Sequence, residues 1–398
     1  MIRYVSIFAV LSIFSACTPT QSPVLEREVL FELEIGRLEH ELGVFAQNGI
    51  LPQRHNGLVI RDGIVYIGNG SSNKIMGFTS FGDLLQLVYS KNENPQPVTL
   101  AGAPPAGTGQ QVTRRSVPVE FSQLETIAVD SQRRMYAAEL VPQRDHVQDD
   151  SLGVMLNRRI LRMNAHGVPQ DYLGQEGVGG TPFPLITGMG VTIRDELVVV
   201  GSTGEAKKVW FFSPAGDNLA TVRIGLDRLP VPSDTGTYLS ILDTVVPGID
   251  THRIYLKISY YRTVTDPESQ QPQGIEFDHS RVYWIDLATG RYEGYAELPR
   301  RGETGIVEHF QLLGITRGDH MLLLTRLDDD RSQLVMMNTE GRVLRRRVLQ
   351  ISKRNLLQSS FYVTPEGILG ALLVYPDRAE VVWWRSDRLL PGLPAREG

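Results

Sequence analysis

The chain repeats one short unit six times, and this repeat constrains the fold more than any other sequence feature. Each copy is an apolar run that leads through a few polar residues into a Gly or Asp turn. The copies are KIMGFTSFGD (74–83), RILRMNAHG (159–167), KVWFFSPAG (208–216), RVYWIDLATG (281–290), QLVMMNTEG (333–341) and EVVWWRSD (380–387). The intervals between their equivalent positions, Phe78, Met163, Phe212, Ile285, Met337 and Trp384, are 85, 49, 73, 52 and 47 residues.

Further short strands surround each copy of the repeat. Two apolar segments joined by a tight polar turn precede it, as in residues 57–69 and 361–375, and another strand follows it, as in residues 84–89 and 342–349. Runs rich in Val, Ile and Tyr that are bounded by Asp-Gly or Pro-Glu-Gly turns are typical of hairpins. The sequence therefore predicts an all-β fold, a six-bladed β-propeller with four-stranded antiparallel blades, as a single domain over residues 24–398.

The first blade resembles the NHL-repeat consensus over almost its whole length. Residues 57–85, GLVIRDGIVYIGNGSSNKIMGFTSFGDLL, contain an Asp-Gly hairpin turn, Asn73 before the third strand, and an aromatic-Gly turn at Phe81-Gly82. The later blades match more loosely, and the sixth has Asp387-Arg388 where the turn Gly is expected. The resemblance covers residues 57–390 and implies an NHL-like propeller.

The residues that follow the third predicted strand of the sixth blade are too few and too rich in proline to form its fourth strand. Three strands fit between Gln358 and Arg385, and the remaining residues 389–398 contain two prolines. An alternating segment lies upstream, with apolar Val29, Phe31, Leu33 and Ile35 between acidic Glu28, Glu32 and Glu34. A period of two is typical of a strand with one buried face. We therefore expect residues 28–35 to be the outer strand of the last blade and to close the ring.

The amino terminus has the pattern of a secretory signal followed by the only cysteine of the chain. Arg3 precedes an apolar stretch over residues 4–14, which is too short to span a bilayer. The sequence Phe14-Ser15-Ala16-Cys17 resembles a bacterial lipobox of the looser kind familiar in spirochaetes. The resemblance implies a signal peptide over 1–16, lipidation of Cys17, and a membrane anchor. A polar tether over 17–23 follows, and we expect a cell-envelope location, in the periplasm or at the surface.

The long insertions between strands fall on one face of the predicted propeller. Connections between second and third strands, and between blades, share that face, and they include residues 91–123, 140–157, 226–237 and 261–280. Because functional residues concentrate on loops, we expect this face to bind an envelope protein or a small ligand. The candidate binding residues are Arg115, Asp145, His146, Arg158, Tyr261, Arg262 and His279.

The charge balance and the absent motifs limit the functions open to the chain. Lys and Arg number 40 against 45 Asp and Glu, so a nucleic-acid partner, which requires a basic face, is not expected. The sequence has no GxSxG or GxxxxGK[ST] motif, and its eight histidines lack HxH and HxxxH spacing, so we expect no cofactor and no zinc site. We predict a non-catalytic binding scaffold.

The alternative is a calcium-dependent hydrolase. Six-bladed lactonases and phosphotriesterases hold calcium in the central tunnel through Glu, Asn and Asp side chains. Residues of this chain that could take those positions are Asn56, Glu125, Asp243, His309 and Gln311. Calcium prefers six or more oxygen ligands, and the inner strand of blade three contributes only Thr192.

Overall fold

The computed structural model describes residues 24–44, 56–102, 114–151, 153–232, 238–266, 269, 271–300 and 308–390. The predicted signal peptide, the tether and Cys17 lie outside these residues. Within them, six sheets form the blades of a β-propeller, which confirms the predicted fold class.

Blades one to three use the following strands, numbered in chain order. Blade one consists of β2 (Asn56–Arg61), β3 (Ile64–Asn69), β4 (Lys74–Thr79) and β5 (Leu84–Tyr89), extended outward by β7 (Arg115–Pro118) and β6 (Ala101–Gly102). Blade two consists of β8 (Leu124–Val129), β9 (Met135–Leu140), β12 (Arg158–Met163), β13 (Pro169–Gly174) and β14 (Gly177–Val178). Blade three consists of β15 (Leu185–Val191), β16 (Leu197–Ser202), β17 (Ala206–Phe212) and β18 (Asn218–Gly225).

The remaining blades are built in the same way. Blade four consists of β19 (Tyr238–Pro247), β20 (Arg253–Thr265), β21 (Pro272–Asp286) and β22 (Tyr292–Glu297). Blade five consists of β23 (Gln311–Ile315), β24 (Met321–Arg326), β25 (Arg331–Met337) and β26 (Val343–Gln350). Blade six consists of β27 (Gln358–Val363), β28 (Leu369–Val374), β29 (Arg378–Trp384) and β1 (Glu28–Glu34). Outside the blades lie β10 (Val147–Asp149), β11 (Val154–Leu156) and the 3₁₀ turns Gly70–Ser72, Gln143–Asp145, Leu226–Arg228 and Ser386–Leu389.

The inner strands form a closed ring. The first strand of each blade contacts the first strand of the next, and β27 of blade six contacts β2 of blade one. Middle strands are covered on both faces by neighbouring blades, so β28 is buried at every residue and reads as an unbroken apolar run. The outer strand β18 instead alternates between half-buried and exposed residues along most of its length, because one of its faces meets solvent.

The amino-terminal strand closes the ring as predicted. Strand β1 pairs antiparallel with β29, from Glu28 opposite Trp383 to Glu34 opposite Arg378. Phe31 and Leu33 are buried, and the ring of Phe31 lies 5.1 Å from that of Phe78 in blade one. A register shift between Val29 and Phe31 breaks the alternation, so Val29 is 45% exposed although the sequence pattern assigns it to the buried face.

The two faces of the propeller differ as expected. Short hairpin turns occupy one face, which we call the short-turn face; the turn at Asp62-Gly63 has φ values of 48° and 75°, as a two-residue type I′ turn requires. The connections between second and third strands, and those between blades, lie on the opposite face, which we call the insertion face.

The prediction of a loop over residues 261–280 is wrong. Residues 261–280 are not an irregular insertion, because β20 and β21 run through this segment and stay paired as far as Thr265 and Pro272. Aromatic and β-branched residues recur along both strands here, and such residues favour an extended ribbon. Two other insertions also contain strands: residues 91–123 include β6 and β7, and residues 140–157 include the β10–β11 hairpin.

Candidate functional site

A two-stranded ribbon stands out from blade four on the insertion face. We call residues 260–266 and 271–279 the blade-four hairpin. The pairing with neighbouring strands stops at its base, since β19 begins at Tyr238, opposite Arg262, and β22 ends at Glu297, opposite Arg281. Beyond that level β20 and β21 pair with each other up to Thr265. The ribbon therefore exposes side chains on both of its faces.

His279 is buried at the base of this hairpin. It is 1% exposed, and its ring contacts those of Tyr260, with centroids 4.8 Å apart, and Tyr238, at 5.8 Å. Its Nδ1 lies 2.6 Å from Oδ2 of Asp278, whereas Nε2 has no hydrogen-bond partner among the residues that the structure describes. Tyr260 is fixed in turn, because its hydroxyl donates to the carbonyl oxygen of Pro230 and lies 3.1 Å from the hydroxyl of Tyr283.

The carboxylate of Asp278 forms ion pairs with two arginines. Arg262 Nη2 lies 2.5 Å from its Oδ1, and Arg300 Nη1 lies 3.8 Å from its Oδ2. The guanidinium of Arg262 also lies over the ring of Tyr238, at 5.7 Å from the centroid. Of the seven candidate residues, Arg262 and His279 are thus joined through one carboxylate.

A second polar network lies next to His279 in the same blade, and its side chains come from β20, β21 and the inner strand β19. Asp243 accepts hydrogen bonds from Lys257 and from the Ser259 hydroxyl, and the Ser259 hydroxyl lies 3.1 Å from that of Ser280. Burial raises the pKa of Tyr261, and the nearby Asp243 raises it further. The base of the hairpin is therefore held by bonded polar side chains.

Aromatic contacts link the hairpin to blade five. Tyr261 meets Phe277 across the ribbon at 5.6 Å between centroids, and Phe277 stacks on His309 at 4.1 Å. His309 and Gln311 also line a cavity of about 380 Å³ between blades five and six. His309 therefore contacts the hairpin and also lines the cavity.

The hairpin also exposes apolar side chains. Ile275 is 57% exposed and Val264 37% exposed, and on the adjoining inner strand β19 Leu239 is 49% exposed. Arg262 and Glu276 place opposite charges among them. This mixture of apolar and charged groups is typical of protein-binding surfaces.

The other candidate residues lie elsewhere. Arg158, at the start of β12, is bound to the inner-strand carboxylate of Glu125, with Nη2 3.0 Å from Oε1. Asp145 is in the 3₁₀ turn of the blade-two insertion, and the adjacent His146 Nε2 lies 3.0 Å from the Val141 carbonyl oxygen. Blade two therefore carries a separate group of these residues.

Arg115 is the most remote of the predicted residues. It lies on β7 at the outer edge of blade one, and its guanidinium contacts the ring of His166. His166 belongs to the turn between β12 and β13, on the short-turn face of blade two. The pKa of His166 is lowered by burial and by Arg115. The structure does not bring Arg115 together with the blade-four hairpin.

Three of the five residues considered for calcium are engaged by protein groups. Asn56 donates to Gln358 and accepts from Asn69, Glu125 pairs with Arg158, and Asp243 pairs with Lys257. Within the described part of the chain, no group of three or more His, Cys, Asp or Glu residues is arranged to hold a metal ion. No helix among those residues is long and apolar enough to cross a membrane.

Several residues of the hairpin site are absent from the sequence-based candidates. They are Tyr238, Lys257, Tyr260, Phe277 and Asp278. Tyr238 lies far from residue 279 in sequence, and only the pairing of β19 with β20 brings it to Arg262. One feature of the sequence could have indicated Asp278. It is adjacent to His279, and the two polar residues interrupt the alternation of apolar and polar residues in this segment.

The similarity of this chain to known proteins is low. No protein-family model matches the chain, and no curated protein matches it. Among solved structures, it is similar to a gluconolactonase from Xanthomonas campestris, with 10% identity, a TM-score of 0.42, and coverage of 90% of this chain and 89% of that chain. A streptogramin B lyase gives 9% identity, a TM-score of 0.38, and 90% and 97% coverage. An ulvan lyase gives 11% identity and a TM-score of 0.41, with coverage of 89% of this chain and 82% of that chain.

Proposed function

We propose that this chain is a lipid-anchored cell-envelope protein with NHL-like blades, and that its propeller is a non-catalytic scaffold that binds a protein partner. The observation that carries the proposal is the blade-four hairpin. It extends past its own blade and combines exposed apolar side chains with an Arg-Asp-His cluster at its base.

The anchor part of the proposal rests on Cys17 and on where the chain joins the propeller. Cys17 and Val24 are seven residue-to-residue steps apart, so the extended tether reaches about 25 Å at most. Val24 bridges to Val348 on the outer strand of blade five. Acyl chains on Cys17, each CH₂ contributing ~0.8 kcal/mol on burial, would hold the rim at blades five and six close to the bilayer.

The binding part rests on the chemistry of the hairpin. Exposed Ile275 and Val264 supply apolar area, and Tyr261 and Phe277 supply aromatic surface. Aromatic residues and Arg are enriched at the centre of protein interfaces. Because the base of the ribbon is held by hydrogen bonds, little conformational entropy is lost when a partner binds to it.

Substitution of the lipidated residue tests the anchor. We expect the wild-type protein to partition into the detergent phase of a Triton X-114 separation and to show acyl mass on Cys17 by mass spectrometry. The Cys17→Ser protein should move to the aqueous phase. Equal partition of the two proteins, with no acyl mass on the wild type, would contradict the anchor.

Photo-crosslinking in intact cells tests the binding face. A photoreactive amino acid is placed at position 275 in the hairpin, or at position 81, where Phe81 is 87% exposed on the short-turn face. We expect one discrete protein adduct from position 275 and none from position 81. Adducts from position 81 alone, or none from either, would assign binding away from the hairpin.

A further inference from the structure

A cavity lies at the insertion-face end of blades five and six. It is concave, whereas the blade-four hairpin protrudes from its blade. It has a volume of about 380 Å³, within the range of small-molecule sites. The ends of β24 and β26, the start of β25 and the inner strands β23 and β27 surround it. Two of the strands that surround it, β23 and β27, are inner strands of the propeller.

The lining divides into an apolar part and a cationic part. Phe310, Leu324, Ile351, Leu356 and Phe361 provide the apolar part. Arg326, Lys353 and His309 provide the cationic or protonatable part, and among the residues that the structure describes the lining includes no carboxylate. A site of this composition favours a molecule that has an apolar body and one negative charge.

Lys353 is the cation with bonding capacity left. Its Nζ donates to the carbonyl oxygen of Asp328 at 3.3 Å and makes no ion pair among the described residues. Burial lowers the pKa of Lys353, and the adjacent Arg326 lowers it further. An anion placed beside this ammonium would replace the hydration that burial removes.

The carboxylates of the acidic turn next to the cavity make their closest contacts with groups other than the Lys353 ammonium, and Asp328 and Asp329 raise the pKa of Lys353 by less than burial and Arg326 lower it. Asp328 is bound by Arg331, with Nη2 2.6 Å from Oδ2, and Asp329 is bound by Arg326. Asp330 accepts a hydrogen bond from the Ser352 hydroxyl at 3.0 Å.

We propose that this cavity binds a small amphipathic carboxylate, with the carboxylate at Lys353 and the apolar body against Phe310, Leu356 and Phe361. The site is a second one, separate from the protein-binding hairpin, and it depends neither on the lipid anchor nor on the partner.

Calorimetric titration of the purified full chain carrying Cys17→Ser tests the proposal with decanoate, decanol and acetate. Decanol has the apolar body without the charge, and acetate has the charge without the body. We expect decanoate to bind at least about tenfold more tightly than either. Equal binding of decanoate and decanol, or no binding of decanoate, would overturn the proposal.

Three variants locate the binding. Lys353→Gln should weaken decanoate about tenfold and leave decanol unchanged, because a charge-assisted hydrogen bond is lost. Ser359→Trp, at an exposed residue of the lining, should block decanoate by filling the cavity while Lys353 stays in place. Lys208→Gln, at a half-buried lysine of blade three, is the matched control and should bind as the parent protein does. A Lys353→Gln protein that binds decanoate normally would place the ligand elsewhere.

Discussion

The imidazole of His309 stacks on the ring of Phe277, with 4.1 Å between their centroids. Phe277 belongs to the blade-four hairpin, and His309 lines the cavity between blades five and six. The contact therefore joins two sites that belong to different blades.

This contact predicts an energetic coupling between the two residues. Phe277→Ala and His309→Ala should each lower the free energy of unfolding, and the double variant should lose less than the sum. The expected coupling is about 0.5–1.5 kcal/mol, as for other aromatic pairs. Urea unfolding of the four proteins measures it. Phe277→Ala combined with His320→Ala, in a turn on the short-turn face, is the additive control; additivity in both pairs would show that the stack carries no energy.

The closing strand makes a sharper stability prediction. Phe31→Ala removes a ring that is 9% exposed and packs on Phe78, so the free energy of unfolding should fall by about 3 kcal/mol. Val29→Ala, at a residue 45% exposed on the same strand, should cost less than about 1 kcal/mol. Guanidinium unfolding measures both changes. Similar losses for the two variants would mean that β1 stabilises through backbone pairing alone.

The sequence predicts the blades well because each strand type has its own pattern. Middle strands such as Leu369–Val374 are apolar throughout, and Asp-Gly turns such as Asp62-Gly63 mark the hairpins. The closing strand is predictable for a similar reason, since Glu28, Glu32 and Glu34 alternate with apolar residues. The exposure of Val29 is not predictable, because it depends on a bulge that the register with β29 creates.

The candidate site is less accessible to sequence reasoning because it is assembled between strands that are distant in the chain. Tyr261, Arg262 and His279 are found from their position in an insertion, and the structure places them in one hairpin. Tyr238 lies on β19 and His309 lies just before β23. Both contact residues of the hairpin because strand pairing and the packing of neighbouring blades bring these segments together. Arg115 shares the predicted face by topology, yet β7 carries it to the rim beside His166.

Lys74 predicts a specific dependence of stability on alkaline pH. Its side chain is buried and donates from Nζ to the Leu38 carbonyl oxygen at 2.7 Å, and burial lowers its pKa from 10.5 to about 8. Between those values the unfolded chain binds the proton that the folded chain has lost, so the Lys74 contribution to stability rises with pH. The shift corresponds to a gain on the order of 3 kcal/mol from pH 8 to pH 10.5.

Denaturant unfolding at a series of pH values from 7 to 10.5 tests this contribution. The Lys74→Met protein should lose the rising component, whereas Lys208→Met, at a half-buried lysine of blade three, should keep it. Parallel pH profiles for Lys74→Met and the wild type would show that Lys74 keeps an ordinary pKa.

His279 predicts a separation of stability from binding. Its buried Nε2 lacks a partner among the described residues, which costs about 1–3 kcal/mol, whereas its Nδ1 bond to Asp278 fixes the base of the hairpin. His279→Phe keeps a ring packed against Tyr238 and Tyr260 but removes both polar atoms, so the free energy of unfolding should change by less than about 1 kcal/mol.

The same substitution should loosen the hairpin, because Asp278 then loses its bond to the buried ring. Amide hydrogen exchange at residues 262–265 should become at least about fivefold faster, and crosslinking from position 275 should fall by a similar factor. Tyr292→Phe, on the outer strand of the same blade, is the control and should change neither measurement. If the His279→Phe protein instead exchanges its hairpin amides at the wild-type rate and crosslinks fully, the His-Asp bond has no part in positioning the hairpin.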